Sequence, residues 1–436
     1  MLIYNKVLAS VCLLLQLLSH INAQGPPVFA TLSTTAGNTA KINSNRMALQ
    51  DSLQISQGAE KFSLEFLKQI SDAHTSVPNR SYMVSPFAVW SLLLLLTEGA
   101  GGKTLTELRN TLHTGNDQNA VRAAYHLISR YLTVNTTTIE VASFNALFTN
   151  INKPVSRDYE DIIERDYASA LIPVDFDDVN NTFTKINRDI REATRGLIPY
   201  TVTPQDFQDA NILMVSSLYF KGKWKYPFES SKTRPLPFHD EDGKLLGDVQ
   251  MMTQMGLFTY VNVKELDAHV LELPYGKENR LSMLIILPKR GVKLNRVINN
   301  LANVGIKQIH QQLQVAAQYY DNDDDKPEVE VFIPKFTTES HFTLSPILRN
   351  MGIQDLFDSS RANLDKIARD NYVSSIFHAT RIIVNEEGTE AGAVTTAVLT
   401  NKASPTRFYV DRPFAYLIVE KTANVLLFAG EVKSNV

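Results

Sequence analysis

The chain carries nine histidines, one cysteine and 46 acidic side chains, ample material for a metal or nucleophile site, yet their spacing builds none. No H-E-x-x-H pair puts two imidazoles on one helical face, no G-x-S-x-G turn exposes a serine, and no G-x-x-x-x-G-K-[ST] loop cradles phosphate. Asp321-Asn322-Asp323-Asp324-Asp325 resembles the opening of a calcium loop. Such a loop needs Gly at its sixth position for the sharp turn and a bidentate Glu at its twelfth. Lys326 and Phe332 stand there instead, so the run reads as a solvated acidic loop. The expectation is no enzyme, no metal and no cofactor.

The informative segment is one that chemistry could be done to. Val384–Pro413 reads VNEEGTEAGAVTTAVLTNKASPTRFYVDRP, long for a connection and therefore a candidate functional loop. From Thr389, every second residue is Thr389, Ala391, Ala393, Thr395, Ala397 and Leu399, with Glu390, Gly392, Val394, Thr396 and Val398 between. A period of two with one small face fits a strand set against a tightly packed core. No proline interrupts strand pairing between Glu386 and Ser404. A surface loop able to become a central strand has two available states; composition alone also allows a flexible small-residue linker.

The elements that must hold this segment follow from periodicity. Ser85 can cap a helix, Pro86 suits its first turn, and FAVWSLLLLL is apolar nearly all round, which predicts a buried helix. Ala59, Phe62, Phe66, Leu67 and Ile70 repeat at helical spacing, so structure is expected from about Gln57. Further helical patterns run over about 103–113, 117–132, 154–166 and 180–195. Val270–Leu273 and Leu281–Leu287 read as strands flanking a Gly-containing connection. Val329–Ile333, Ile382–Val384, Ala415–Glu420 and Val425–Gly430 read as strands too. With no repeat and no linker, one large α+β domain over residues 55–436 is expected.

Composition supports a stable globular chain, 44% hydrophobic and 20% charged. Lys+Arg 43 against Asp+Glu 46 excludes a strongly basic nucleic-acid binder, and no run of 18 apolar residues suggests a membrane span. Residues 1–23 read as a secretory signal: Lys6, an apolar stretch Val7–Leu18, and a small residue, Ala23, at the cut. Cleavage would remove Cys12, the one cysteine, and with it every disulfide or thiolate site. Residues 24–54, rich in Gly, Pro, Ser, Thr and Asn at their start, read as a flexible tail. Sequons at Asn79, Asn135 and Asn180 can carry glycan in a secreted chain.

At Val384–Pro413 the chain resembles the hinge and reactive-centre loop of the serpins, and the likeness extends over nearly all of residues 55–433. The family's motifs stand in order: Val84-Ser85-Pro86; Phe220-Lys221-Gly222-Lys223-Trp224; Leu271–Pro288; Val384–Ala393; Asp411–Phe414; and Leu427–Glu431. The resemblance implies an α+β serpin fold with three β-sheets, about nine helices and an exposed loop at about 386–407. It also implies a secreted, monomeric suicide inhibitor of a serine protease. Attack on the loop forms an acyl-enzyme, and the cleaved loop then enters the large sheet as a strand and traps the protease.

Carried over residue by residue, the hinge is Glu386, Glu387, Gly388, Thr389, Glu390, Ala391, Gly392, Ala393 and Val394, small enough to insert. Counting sixteen from Glu386, or back eleven from Pro413, gives Lys402-Ala403 as the scissile bond. Lysine there implies a trypsin-like target whose pocket carries a buried carboxylate; Arg407 is the rival and is expected in the next strand. Ser85 and His378 match the centre that controls sheet opening, and Trp224 the position where the loop enters. Ala88 and Ser216 depart from the usual Ser and Asn there, so the hydrogen bonding must differ. Helix 117–132 carries only Arg122, His126 and Arg130, which argues against heparin activation. The cysteine-free chain, lysine bait and acidic insert match arthropod haemolymph members, which restrain melanisation or Toll-type immune cascades. The alternative is a non-inhibitory serpin acting as carrier, chaperone or storage protein, against which the hinge composition argues.

Overall fold

Helix Pro86–Gly99 is buried at every one of its 14 residues because it lies between two sheets, touching a strand of each. Ser85 caps it by accepting a hydrogen bond from Ala88 N, and Pro86 occupies its first turn, as the sequence predicts. The computed structural model describes residues 36–75, 79–132, 136, 138–196, 198, 200–207, 209–321, 328–389 and 406–434. Contacts divide the chain into residues 1–47 and 48–436. Of the first, residues 36–47 are helical; the fold described below is that of the second.

Nine α-helices and sixteen strands are present among the described residues, arranged in three sheets. The strands are β1 (Tyr82–Val84), β2 (Ile139–Asn150), β3 (Ala170–Val174), β4 (Ile212–Lys223), β5 (Arg234–His239), β6 (Leu245–Gly256), β7 (Thr259–Val263) and β8 (Ala268–Tyr275). They continue as β9 (Leu281–Pro288), β10 (Val329–Pro334), β11 (Phe336–Thr343), β12 (Val373–Asn385), β13 (Gly388–Thr389), β14 (Thr406–Tyr409), β15 (Phe414–Glu420) and β16 (Val425–Val432). The core sheet runs β1-β16-β15-β9-β8-β7, a small sheet runs β14-β10-β6-β5, and the hinge sheet runs β11-β12-β13-β4-β2-β3.

Strands β9, β15 and β16 bury every residue, so they read as unbroken apolar runs rather than as alternation. The hinge sheet is covered differently. Phe220, Leu218 and Met214 of β4 face the main core, while Leu213, Val215, Phe377 and Ala379 pack with Ile186 and Ile190 of helix Val179–Ala193.

Two expectations change. The tail read over 24–54 is helical from residue 36, within a helix Ala36–His74. Its Asn, Ser and Thr residues hide the helix, since such residues favour caps and turns, but neither Gly nor Pro breaks it between 38 and 57. The strand expected at Ile382–Val384 is the end of the 13-residue β12. The signal stretch 1–23, Asn135 and most of the acidic run lie outside the described residues. Phe332 is buried in β10, and no group of metal-ligating side chains occurs among the described residues.

Candidate functional site: a hinge and the seam below it

β12 turns at Asn385–Glu387 into β13, and those two residues of β13 sit between β12 and β4. Thr389 pairs with Val384 on one side and Gly222 on the other; Gly388 pairs with Asn385 and Lys223. The Asn385 side chain accepts from Glu387 N at 3.1 Å and shapes the turn. Gly388 is required twice over. Its φ of +143° favours glycine, and a Cβ there would lie 2.0 Å from the Gly222 carbonyl oxygen.

The turn is pinned from below by the segment after β4. Trp224 N donates to Glu387 O at 2.9 Å, and Phe228 N donates to Glu386 O at 2.7 Å. The Trp224 indole donates to Asn385 O at 3.0 Å and stacks on Tyr275 with centroids 4.5 Å apart. Gly222 lets Phe220 and Tyr275 close over the backbone, since a Cβ would meet both rings within 2.8 Å.

Glu386 is buried at the base of the turn. One carboxylate oxygen accepts from Thr233 Oγ1 at 2.7 Å and the other meets Lys335 Nζ at 2.9 Å. Burial alone would raise its pKa. The bonds from Thr233 and Lys335 outweigh burial and hold the carboxyl below its ordinary value, so it is ionised at neutral pH.

Below the hinge, β12 and β4 meet directly. They pair in parallel from Val373 opposite Ile212 to Ala379 opposite Ser217. No ladder joins Thr380–Ile383 to Leu218–Lys221 among the described residues, so this seam is closed at the bottom and open toward β13. His378 lies at its upper end, fully buried. Its Nδ1–H donates to Ser216 O at 3.1 Å, and its Nε2 accepts from Ser85 N at 2.8 Å. Ser85 Oγ donates to Leu427 O at 2.6 Å, tying the cluster to β16. Burial pushes the imidazole down to about 4 against a partial rise from the Ser216 bond, so the ring is neutral. The departure at Ser216 has a clear consequence: the backbone carbonyl holds His378, while Ser216 Oγ finds no partner. Ala88 contributes only its capped amide.

At the far end of the loop, β14 lies parallel to β10 in the small sheet. Arg407 belongs to β14 and pairs with Glu330 at 2.7 Å, as expected of the residue that rivals Lys402. Asp411, buried just beyond, takes ion pairs from Arg290 and Arg412.

The structure thus brings together Glu386, Glu387, Gly388 and Trp224 at the hinge, and Ser85 with His378 in the seam. The reactive bond Lys402-Ala403 and hinge residues Glu390 to Val394 lie outside the described residues. Asn79 and Asn180 are exposed. Sequence reasoning missed Thr233, Lys335 and Tyr275. Lys335 sits in the one-residue break between β10 and β11, a position that the strand pattern read at Val329–Ile333 did not mark.

The Serpin (serine protease inhibitor) family profile matches residues 57–435. Serine protease inhibitor 2 of Anopheles gambiae is 30% identical over 396 residues, covering 87% of this chain and 92% of its own. The human Leukocyte elastase inhibitor is 30% identical over 392 residues, covering 87% and 99%. Among solved structures, Serpin48, a highly specific serpin of the insect Tenebrio molitor, matches with TM-score 0.72 at 26% identity, covering 88% of this chain and 98% of that one. The chain belongs to the serpin family, whose members are protease inhibitors rather than enzymes.

Proposed function

We propose that this serpin is a secreted, inhibitory member directed at a trypsin-like serine protease, with Lys402-Ala403 as its bait. The observation that carries the reading is the register of β13. Continued along the same pairings, Ala391, Ala393, Thr395 and Ala397 come opposite Ile382, Thr380, His378 and Ile376 of β12. On the other side they come opposite Phe220, Leu218, Ser216 and Met214 of β4. That alignment sets Ile376 level with Met214, as they already stand in the closed seam. The small-residue face therefore meets buried positions throughout, and β12 and β4 need only part, not slide.

In the proposed reaction the protease serine attacks the Lys402 carbonyl. An ester forms, the amide to Ala403 breaks, and the protease histidine returns the proton to the departing amine. The freed strand then zips into the seam before water can release the ester. The signal stretch supports secretion, with Asn79 and Asn180 exposed to carry glycan; service in an immune protease cascade is the finer part of the proposal and follows only the resemblance to arthropod haemolymph serpins.

The test is incubation of the secreted protein with trypsin, a denaturing gel, and mass analysis of the small fragment. The expected result is a denaturant-resistant complex and a fragment beginning at Ala403. Clean cleavage with no complex refutes inhibition; a fragment beginning elsewhere refutes the bait residue alone.

A further inference from the structure

An N-x-[S/T] acceptor depends on the hydroxyl two residues beyond its asparagine, and at Asn79 and Asn180 the fold has already engaged that hydroxyl. At the first sequon Asn79 and Arg80 are exposed, but Ser81 is half-buried just before β1. Its Oγ donates to Ser434 O at 3.2 Å and accepts from Lys433 N at 3.0 Å. The Ser434 hydroxyl in turn donates to the carbonyl of Asn79, whose φ is +60°. At the second sequon Asn180 is exposed in the first turn of helix Val179–Ala193, but Thr182 is 4% exposed. Its Oγ1 donates to Asp175 O at 2.6 Å. Each asparagine amide is thus open to solvent, while the hydroxyl a transferase must read is bonded elsewhere.

The two sequons differ in how far along the chain the closing partner lies. Thr182 needs Asp175, 7 positions earlier, so its partner is always made first. The helix around it is held by near neighbours: Asp178 accepts from Asn181 N at 3.3 Å, and Asn187 Oδ1 accepts from Val202 N at 3.2 Å. Ser81 needs Lys433 and Ser434, 352 and 353 positions later. At roughly 5–20 residues per second that stretch takes about 20–70 s to synthesise, against about a microsecond for a local helix to form. Contacts between near neighbours also form before distant ones, because they close the shorter loop.

We propose that Asn79 and Asn180 accept glycan only before their hydroxyls are engaged, and that docking of Lys433 and Ser434 on Ser81 is the late event that closes Asn79. Asn79 therefore stays open long after helix Val179–Ala193 has closed Asn180, and becomes the principal carbohydrate site. The proposal rests on the secretory reading, because the oligosaccharyltransferase and its lipid-diphosphate oligosaccharide belong to that route. In the transfer, Asn79 Nδ2 attacks the anomeric carbon of the first N-acetylglucosamine. The nitrogen–carbon bond forms, the bond from that carbon to the diphosphate oxygen breaks, and the lipid diphosphate leaves with the electron pair. The amide gives up one proton to the transferase. Asn79 and Arg80 remain exposed once β16 pairs with β1, so the folded chain accommodates the sugar.

Two measurements test the order of events. Full-length protein secreted from cultured insect cells is digested, and occupancy at the two asparagines is read by mass analysis of the peptides. Occupancy at Asn79 is expected to exceed that at Asn180 at least about twofold. Equal occupancy, or more at Asn180, overturns the proposal and leaves secretion intact; no secreted protein and no glycan at either site overturn both. The second measurement takes folded chain made in bacteria without N-glycosylation and adds purified oligosaccharyltransferase with its lipid-linked donor. Full-length chain is expected to accept no glycan, whereas a chain ended after Val432 accepts it at Asn79 alone, the bare Asn180 showing that its helix is still folded. Transfer to Asn79 of the folded full-length chain, or to neither asparagine of the shortened one, overturns the closing role of Lys433 and Ser434.

Discussion

Titrating His378 asks directly whether one neutral imidazole holds the seam shut. Both its ring nitrogens are committed, one donating to Ser216 O and one accepting from Ser85 N. Only the neutral ring can do both. Its pKa is pushed down by burial from 6.5 to about 4, and any state that exposes the ring to water restores the ordinary value. Between those limits the exposed state binds more protons than the native one, so native stability falls as pH falls. The gap of about 2.5 pH units corresponds to about 3 kcal/mol at 1.36 kcal/mol per unit. At pH 5 about 2 kcal/mol of this has been lost, equivalent to about 30-fold.

The assay is the rate of unfolding in a fixed urea concentration at about pH 7.5 and pH 5, for wild type and His378→Gln. A rate is the proper readout if the native serpin is kinetically trapped, as the proposed mechanism requires. Burial also pushes His74, His269 and His310 down, so acid weakens the fold through them as well. The variant removes only the contribution of His378. Wild type is expected to unfold faster at pH 5 by a factor up to about 30 beyond the factor seen in His378→Gln. Equal pH dependence in the two proteins would refute the reasoning, because it would mean that the imidazole stays neutral, or stays buried, through the step that opens the seam.

Two further perturbations separate the hinge from the rest of the fold. Gly388→Val sets a side chain against the Gly222 carbonyl and demands an unfavourable φ; β13 cannot then form, and the stoichiometry of inhibition by titration should rise at least about tenfold as protein is consumed as substrate. Lys335→Met strands the Glu386 carboxylate, buried and still bonded to Thr233; the loss should be about 1–3 kcal/mol, read as an earlier urea midpoint.

What the sequence disclosed and what it hid have physical causes. Helix Pro86–Gly99 is legible because Ser85, Pro86 and an apolar run state its cap, its first turn and its burial locally. Of the period of two read from Thr389 onward, only its first member, Thr389 of β13, falls among the described residues. Most of β12 is not legible, because Ser374, Ser375, His378 and Thr380 break its apolar run. Those interruptions include the seam itself: His378 reaches Ser216 and Ser85, and Thr380 donates to Met83 O at 2.8 Å. The partners of Glu386 are hidden for another reason. Thr233 is 153 positions away, and nothing local marks a threonine in a surface turn as the ligand of a distant carboxylate.

The layout of the seam indicates where the rate of trapping would be set. On the proposed mechanism, residues 390–400 add eleven positions to β13 before β12 begins at Val373. At roughly 0.5–1.5 kcal/mol net per backbone hydrogen bond the gain is on the order of 10 kcal/mol, comparable to the stability of a whole domain. So large a gain is withheld only by a barrier. On this mechanism the first part of the path has no pairing to break, because among the described residues no ladder joins β12 to β4 from Thr380 to Ile383. Threading downward from Thr389, the strand first meets closed pairing at Ala379–Ser217 and then at His378–Ser216. The barrier therefore stands at the top of the closed seam, where the His378 bonds lie, and not along its length. The remaining pairs down to Val373 part after antiparallel bonds have begun to form on both sides of the advancing strand. A substitution at the top of the seam should then change the race between insertion and ester hydrolysis, while one near Val373 changes native stability with little effect on its outcome.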